Sequence, residues 1–256
     1  MSQLKIGLVQ YSPVWESPKA SIEKINSLLS SYDLEDVGLL VFPELSLTGF
    51  TMRSKLLSEE IDGISFRYFM DLSKKLKLDI FAGVIENYDN KIYNSLIHFD
   101  NKGLIRVRYR KIHPFSNSGE NKNYSSNRTP ITTKIGKITF GLSICYDLRF
   151  PELYRFYGKE KVDVLCNIAN WPTTRISHWD KLLQARSIEN LSYMIGVNRV
   201  GTDPSLAYDG HSAVIDLMGN VLVDSNEEEI IFAEIDTEKV KEIRNDLPFL
   251  NDIKLI

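Results

Sequence analysis

Three ionisable residues stand at the ends of apolar, strand-like runs. Glu44 follows "LLVFP", Lys111 follows "IRVRYR" and Cys145 follows "ITFGLSI". In an α/β protein such positions lie just past the packed sheet, where the backbone turns and a cleft can open. Each has an ordinary alternative: Glu44 as a solvent-facing or capping residue, Lys111 as the end of an exposed strand, Cys145 as a small buried hydrophobe. Together they supply the parts for acyl transfer. A carboxylate can take a thiol proton, an ammonium can favour the thiolate and hold charge on a substrate oxygen, and the thiolate is a strong nucleophile. Cysteine enzymes often use histidine as base instead. Of the four histidines, His113 and His178 fall in candidate site segments, and on residue type alone either competes with Glu44.

The elements that must position these groups alternate in type. "LKIGLVQ" reads as a strand, followed by a helix over "SPKASIEKINSLLSSY" with Ser17 as its cap and Pro18 at its first position. "VGLLVFPE" reads as a buried strand and "FRYFMDLSKKLK" as a helix. The strand-like runs "DIFAGVIE", "KIYNSLIHFD" and "GLIRVRYRK" come next, the last two joined by a hairpin at Asp100 to Gly103. A long polar loop, "HPFSNSGENKNYSSNRTP", then breaks the rhythm and is itself a functional candidate. Beyond it come "KITFGLSIC", the helix "PELYRFYGK", the strand "VDVLCNIAN", a helix through "SHWDKLLQARSIENLSY" and the strand "MIGVNRV". A hairpin around Gly219 and Asn220, the strand "EIIFAEID" and the helix "TEKVKEIRND" complete the chain. No linker or compositional break divides it, so residues 1–256 are expected to form a single domain of α/β class with mixed sheets.

Composition narrows the function classes. The hydrophobic fraction of 43% and charged fraction of 25% are those of a folded globular protein, and a formal net charge of −3 leaves no basic field for nucleic acid. "RVRYRK" is expected to be a strand with one solvated cationic face. No apolar run approaches the roughly 20 residues that span a bilayer, and the N-terminus lacks a signal-peptide pattern. The two cysteines sit in separate strand-like segments, which argues for a reduced, cytoplasmic protein without disulfides; Cys166 is expected to be packed and inert. No C-x-x-C, H-E-x-x-H or phosphate-binding loop is present, so neither a metal nor a cofactor is expected.

The segments "LLVFPELSLTGF", "YRKIHPF" and "LSICYDLRFPEL", in this order, resemble the three signature segments of the carbon–nitrogen hydrolase, or nitrilase, superfamily. The resemblance extends from "IGLVQYSP" to "HSAVIDLMGNVLVD" and implies a Glu–Lys–Cys triad at Glu44, Lys111 and Cys145, with Glu44 as the base. It also implies a four-layer α-β-β-α sandwich that pairs as a homodimer, and an assisting acid in the loop after the lysine, for which Glu120 in "NSGENKNY" is the best match. The stretch "NIANWPTTRISHWDKLLQARSIENLSYMIGVNRVGTD" resembles the omega-amidase branch, which releases ammonia from 2-oxo dicarboxylate monoamides such as 2-oxoglutaramate and 2-oxosuccinamate. Related readings are an amidase for another acidic amide, such as deaminated glutathione, a nitrilase, and a non-catalytic binding protein on the same scaffold.

On this reading "LSI" delivers Cys145 to a tight turn, and the oxyanion falls to Lys111 and the backbone N–H of Tyr146. Asp147 is expected to order the turn through backbone hydrogen bonds. Arg149 either clamps a substrate carboxylate or pairs structurally with Asp147 or Glu152. Asn170 and Trp171 are candidate pocket walls, with Trp171 as core filler the alternative. The apolar C-terminal segment "NDLPFLNDIKLI" suits either a dimer contact or packing on its own subunit.

Overall fold

A computed structural model describes residues 2–255. The first sheet is built from β1 (Gln3–Gln10), β2 (Val37–Val41), β3 (Asp79–Tyr88), β4 (Lys91–Phe99) and β5 (Ile105–Arg110). The second contains β6 (Thr132–Ile135), β7 (Ile138–Ile144), β8 (Val164–Ile168) and β9 (Tyr193–Val197). After a separate hairpin of β10 (Val200–Thr202) and β11 (Ala207–Asp209), β12 (Ser212–Ile215) and β13 (Val221–Ser225) complete that sheet. The last strand, β14 (Glu229–Asp236), returns to the first. The helices are α1 (Pro18–Leu29), α2 (Ser54–Leu57), α3 (Ile64–Leu76), α4 (Glu120–Asn123), α5 (Pro151–Lys159), α6 (Ile176–Asn190) and α7 (Thr237–Asp246).

Strand order is β14-β1-β2-β3-β4-β5 in one sheet and β13-β12-β9-β8-β7-β6 in the other. Both are mixed: β1, β2 and β3 run parallel, as do β7, β8 and β9, and the flanking strands pair antiparallel. Alternation along the strands assigns their two faces. Leu4, Ile6 and Leu8 join Phe140, Leu142 and Ile144 in the core between the sheets, where Phe81 meets Phe140 edge to face at 5.3 Å. On the outer side of the first sheet, Val9, Leu40 and Ile80 pack with Ile25 and Leu29 of α1 and Phe66, Phe69 and Leu72 of α3, a helical spacing of three and four. The second sheet is covered by α5 and α6: Gly141 leaves room for the Tyr157 ring, and Gly196 for Leu183 and Trp179. The result is the expected α-β-β-α sandwich.

Several local expectations are refined. Pro18 opens α1, but Ser17 at its cap position makes no side-chain capping bond. The face of "RVRYRK" is not simply solvated. Arg110 donates two hydrogen bonds to Glu86, at 2.8 and 3.0 Å, and Arg108 lies 3.3 Å from the same carboxylate, so a buried acid on β3 draws these cations inward. The short strand β6 and the hairpin of β10 and β11 carry too little apolar alternation to be read from sequence. The C-terminal segment splits: Leu250 is buried in the core of its own subunit, whereas Phe249 and Leu255 are exposed. Among the described residues no helix is long and apolar enough to cross a membrane.

Candidate active site

The first sheet contributes charge. β2 ends at Val41, and the chain turns through Phe42 and Pro43 to place the Glu44 carboxylate beside β4. β3 passes directly behind this turn. A Cβ on Gly83 would lie 2.3 Å from the Leu45 nitrogen and 2.8 Å from Glu44 Cα, so only glycine permits the approach. Lys111 follows β5, and its Nζ donates to Glu44 Oε1 at 2.8 Å and to Glu120 at 2.9 and 3.1 Å. Asn94 on β4 donates to both carboxylates, at 2.7 Å to Glu44 and 2.8 Å to Glu120. Glu120 opens the four-residue α4 within the long polar loop and also accepts from the Phe115 N–H at 2.6 Å. All three ionisable groups are almost wholly buried: Glu44 and Glu120 at 0% exposure, Lys111 at 1%.

Burial works against the Lys111 ammonium, yet the carboxylates of Glu120 and Glu44 outweigh it and hold the pKa well above the ordinary lysine value. Burial raises the Glu120 pKa, against the opposing pull of Lys111 and with a further upward push from Glu44. The cluster is thus a committed ammonium between two acids.

The second sheet contributes the nucleophile. Cys145 follows β7 with φ of +46°, a left-handed conformation rare for a residue with a Cβ. It opens a short 3-10 turn, Cys145–Arg149, that Asp147 holds in place. Asp147 accepts from the Ile144 N–H at 3.0 Å, Tyr109 Oη at 2.7 Å and the His113 N–H at 2.9 Å, and its Oδ1 lies 2.8 Å from His113 Nδ1. The Cys145 N–H donates to Asn167 Oδ1 at 3.0 Å, so it is already used. The N–H of Tyr146, one residue into the turn, belongs to the first turn, whose donors lack intrahelical acceptors.

Burial pushes the Cys145 thiol pKa well above its ordinary value; Glu44 pushes it further, and Lys111 only partly opposes this. The pull of the ammonium towards the thiolate is therefore outweighed by burial and by Glu44. Lys111 is neutralised by two carboxylates, and its field does not reach the sulfur unopposed.

The strand ends of the two sheets meet through Asn170. Its N–H donates to Glu44 Oε2 at 2.8 Å and its Nδ2 to the Glu44 carbonyl oxygen at 2.6 Å, while its own carbonyl oxygen lies 4.0 Å from Cys145 Sγ. One pocket is lined by Lys111, Cys145, Tyr146, Arg149, Asn170 and Trp171, with Phe50, Phe115, Arg175 and Leu206 around it. Lys111, Cys145, Tyr146, Arg149, Asn170 and Trp171 of the expected residues thus line one cavity, whereas Glu44 and Glu120 are fully buried behind Lys111 and do not line it.

Comparison with known proteins agrees in extent. The carbon-nitrogen hydrolase family model matches residues 5–245. The chain belongs to the carbon–nitrogen hydrolase family. It is 32% identical over 252 residues to a 2-oxoglutaramate amidase of Bacillus subtilis, covering 97% of each chain. It is 32% identical over 282 residues to a deaminated glutathione amidase of Dictyostelium discoideum, covering 100% of this chain and 96% of that one. Among solved structures, XC1258 of Xanthomonas campestris, a superfamily member with an arsenic adduct in its active site, superposes with a TM-score of 0.95 at 29% identity, over 100% of this chain and 99% of that one.

In this carbon–nitrogen hydrolase the alternatives left by sequence separate. His113 contacts Asp147 and stacks on Phe150 at 3.7 Å, and His178 lies against Arg149; neither has a hydrogen bond to Cys145. Arg149 pairs with neither Asp147 nor Glu152; it lies over Trp171 at 4.7 Å and reaches His178 Nδ1 at 3.2 and 3.3 Å. Trp171 is both wall and core: it lines the pocket, packs against Trp179 of α6 at 5.5 Å and donates Nε1–H to the Arg175 carbonyl oxygen at 2.8 Å. Cys166 is fully buried, and burial holds its thiol protonated. Sequence reasoning missed Asn94, Asn167, Gly83 and Arg175. An asparagine inside the apolar runs "KIYNSLIHF" and "VLCNI" was the available signal for the first two, since a buried amide needs partners.

Proposed function

We propose that the chain is a single hydrolase domain acting as an omega-amidase, which releases ammonia from 2-oxo dicarboxylate monoamides such as 2-oxoglutaramate and 2-oxosuccinamate. The observation that carries the reading is the buried Lys111 held between Glu44 and Glu120, in the same pocket as Cys145 and as Arg149, which has no carboxylate partner among the described residues. The similarity to a 2-oxoglutaramate amidase supports the substrate class.

In this mechanism the Cys145 sulfur attacks the amide carbon as Glu44 takes the thiol proton, which is needed because the resting thiol is protonated. Lys111 Nζ and the Tyr146 N–H hold the oxyanion. Glu44 returns its proton to the nitrogen, the carbon–nitrogen bond breaks, ammonia leaves, and a thioester remains on Cys145. Water then loses a proton to Glu44 and attacks the thioester. The sulfur departs, recovers a proton, and the acid is released. Glu120 keeps Lys111 charged and in place throughout. Arg149 binds the distal carboxylate, and Asn170 and Trp171 wall the site. We further infer a cytoplasmic homodimer, which light scattering would report as twice the chain mass.

A second reading, an amidase for a larger acidic amide, is supported by the similarity to a deaminated glutathione amidase. The deciding experiment measures ammonia from 2-oxoglutaramate beside glutamine, a simple nitrile and deaminated glutathione, with the last followed by release of its peptide product. Selective turnover of 2-oxoglutaramate that disappears in Cys145→Ala supports the proposal. Turnover confined to deaminated glutathione transfers the assignment to the second reading, and turnover confined to the nitrile overturns both.

A further inference from the structure

Two guanidinium groups border the pocket that holds Cys145, and no ion pair joins either to a carboxylate among the described residues. Arg149 rests on Trp171, and Arg175 rests on Phe115 at 5.4 Å. Positive charge accumulates further because α6 starts directly after Arg175 and has no acidic residue in its first turn. Burial and the nearby charge of Arg175 hold the Arg149 pKa below the usual arginine value. Two partly buried cations repelling one another without a counter-ion are a costly arrangement, which a bound anion offsets. One carboxylate satisfies one guanidinium bidentately, so the second calls for a further acceptor on the same ligand.

We propose that Arg175 is a second specificity-determining residue: it binds the acceptor oxygen next to the substrate carboxylate, as a 2-oxo acid presents, while Arg149 holds the carboxylate. The inference rests on the amidase reading above and assigns the recognition of the head group within it. Arg175 does not touch the reacting atoms, and its contribution falls on binding. Replacing its side chain leaves the Trp171 anchor in place, because that bond goes to the Arg175 backbone oxygen.

The test compares 2-oxoglutaramate with glutaramate, which lacks the 2-oxo group, and with an analogue carrying a second carboxylate in its place. Loss of a charge-assisted hydrogen bond is expected to raise KM for 2-oxoglutaramate about tenfold in Arg175→Gln. The KM for glutaramate and both kcat values should stay close to wild type. Arg149→Gln should raise KM for both substrates. Equal KM changes on both substrates in Arg175→Gln, or none, would overturn the inference while leaving the amidase reading in place. Wild-type preference for the dicarboxylate analogue, lost in Arg175→Gln, would overturn the 2-oxo assignment. Wild-type protein with no turnover of 2-oxoglutaramate would remove the amidase reading and the head-group inference with it.

Discussion

The two sheets repeat one pattern of pairings: antiparallel, parallel, parallel, antiparallel, antiparallel, read from β14 in one and from β6 in the other. Equivalent strand ends nevertheless have different fates. Tyr11 follows β1 and Cys145 follows β7, the corresponding strand. Tyr11 is buried and donates its hydroxyl to the Ser46 carbonyl oxygen, a packing role; Cys145 turns left-handed and faces the pocket. Glu44 and Asn170, after the central parallel strands β2 and β8, bond to each other across the junction. The difference teaches a division of labour. One sheet carries the buried Lys111 cluster and neutralises it internally, and the other carries a thiol on a left-handed turn held by Asp147 and Asn167, so the two sets of groups meet only where the edges join.

The largest effect expected from breaking this division comes from Glu44→Gln. It keeps the size of the side chain and removes the carboxylate that, alone among the described residues, bonds to both Lys111 and Asn170. Loss of a general base typically lowers kcat by about 10² to 10⁴, measured as ammonia release, and retention of wild-type turnover would remove Glu44 from the mechanism. Lys111→Met comes next. It deletes an oxyanion donor, a loss of about a hundredfold or more in kcat. It also leaves Glu44 and Glu120 buried without their cation, a destabilisation of about 3–5 kcal/mol in denaturant unfolding. If stability is unchanged, the buried cluster does not hold the first sheet's edge together as described.

How much of this was legible in the sequence follows from what each feature depends on. Glu44, Lys111 and Cys145 stood out because an ionisable residue directly after an apolar run interrupts a strand pattern, and the polar loop containing Glu120 stood out by its length. Their mutual arrangement did not, because it depends on which edges of two separate sheets abut. The raised thiol pKa could not be read for the same reason: it requires knowing that the sulfur is buried and that Glu44 lies close to it. Gly83 looked like any strand glycine until the Glu44 turn was placed against it. Arg149 was visible by its spacing from the nucleophile, whereas Arg175 lies thirty residues beyond Cys145 and reaches the pocket only through the turn before α6.

The thiol offers the next test. Its pKa is raised by burial and by Glu44, so at neutral pH the protonated form dominates, and the thiolate fraction grows about tenfold per pH unit while the pH stays below that pKa. Alkylation of Cys145 by iodoacetamide should therefore be slower at pH 7 than that of a free cysteine and should climb by about a hundredfold between pH 7 and pH 9. A rate already at its plateau near neutrality would mean that Lys111 acts on the sulfur more than on its two carboxylates, and the separation between the sheets would fail.

The smallest effect sharpens the comparison by disturbing one sheet alone. In Gly83→Ala the new methyl group meets backbone atoms, Leu45 N at 2.3 Å and Glu44 Cα at 2.8 Å, which no side-chain rotation can relieve. Yet β3 and the Glu44 turn are tied together at this point, through Ser46 N–H to the Gly83 carbonyl oxygen at 2.8 Å and Gly83 N–H to Ser46 Oγ at 3.0 Å. The turn must therefore shift as a unit, with a destabilisation of about 1–3 kcal/mol. A displaced base costs turnover, about tenfold for a shift well below 1 Å, whereas the Cys145 turn on the opposite sheet keeps its own bonds to Asp147 and Asn167. Ammonia release should fall while the pH profile of Cys145 alkylation stays as in wild type. Loss of both together would show that the Glu44–Asn170 junction transmits strain into the nucleophile's turn, and that the two sheets act as one element there.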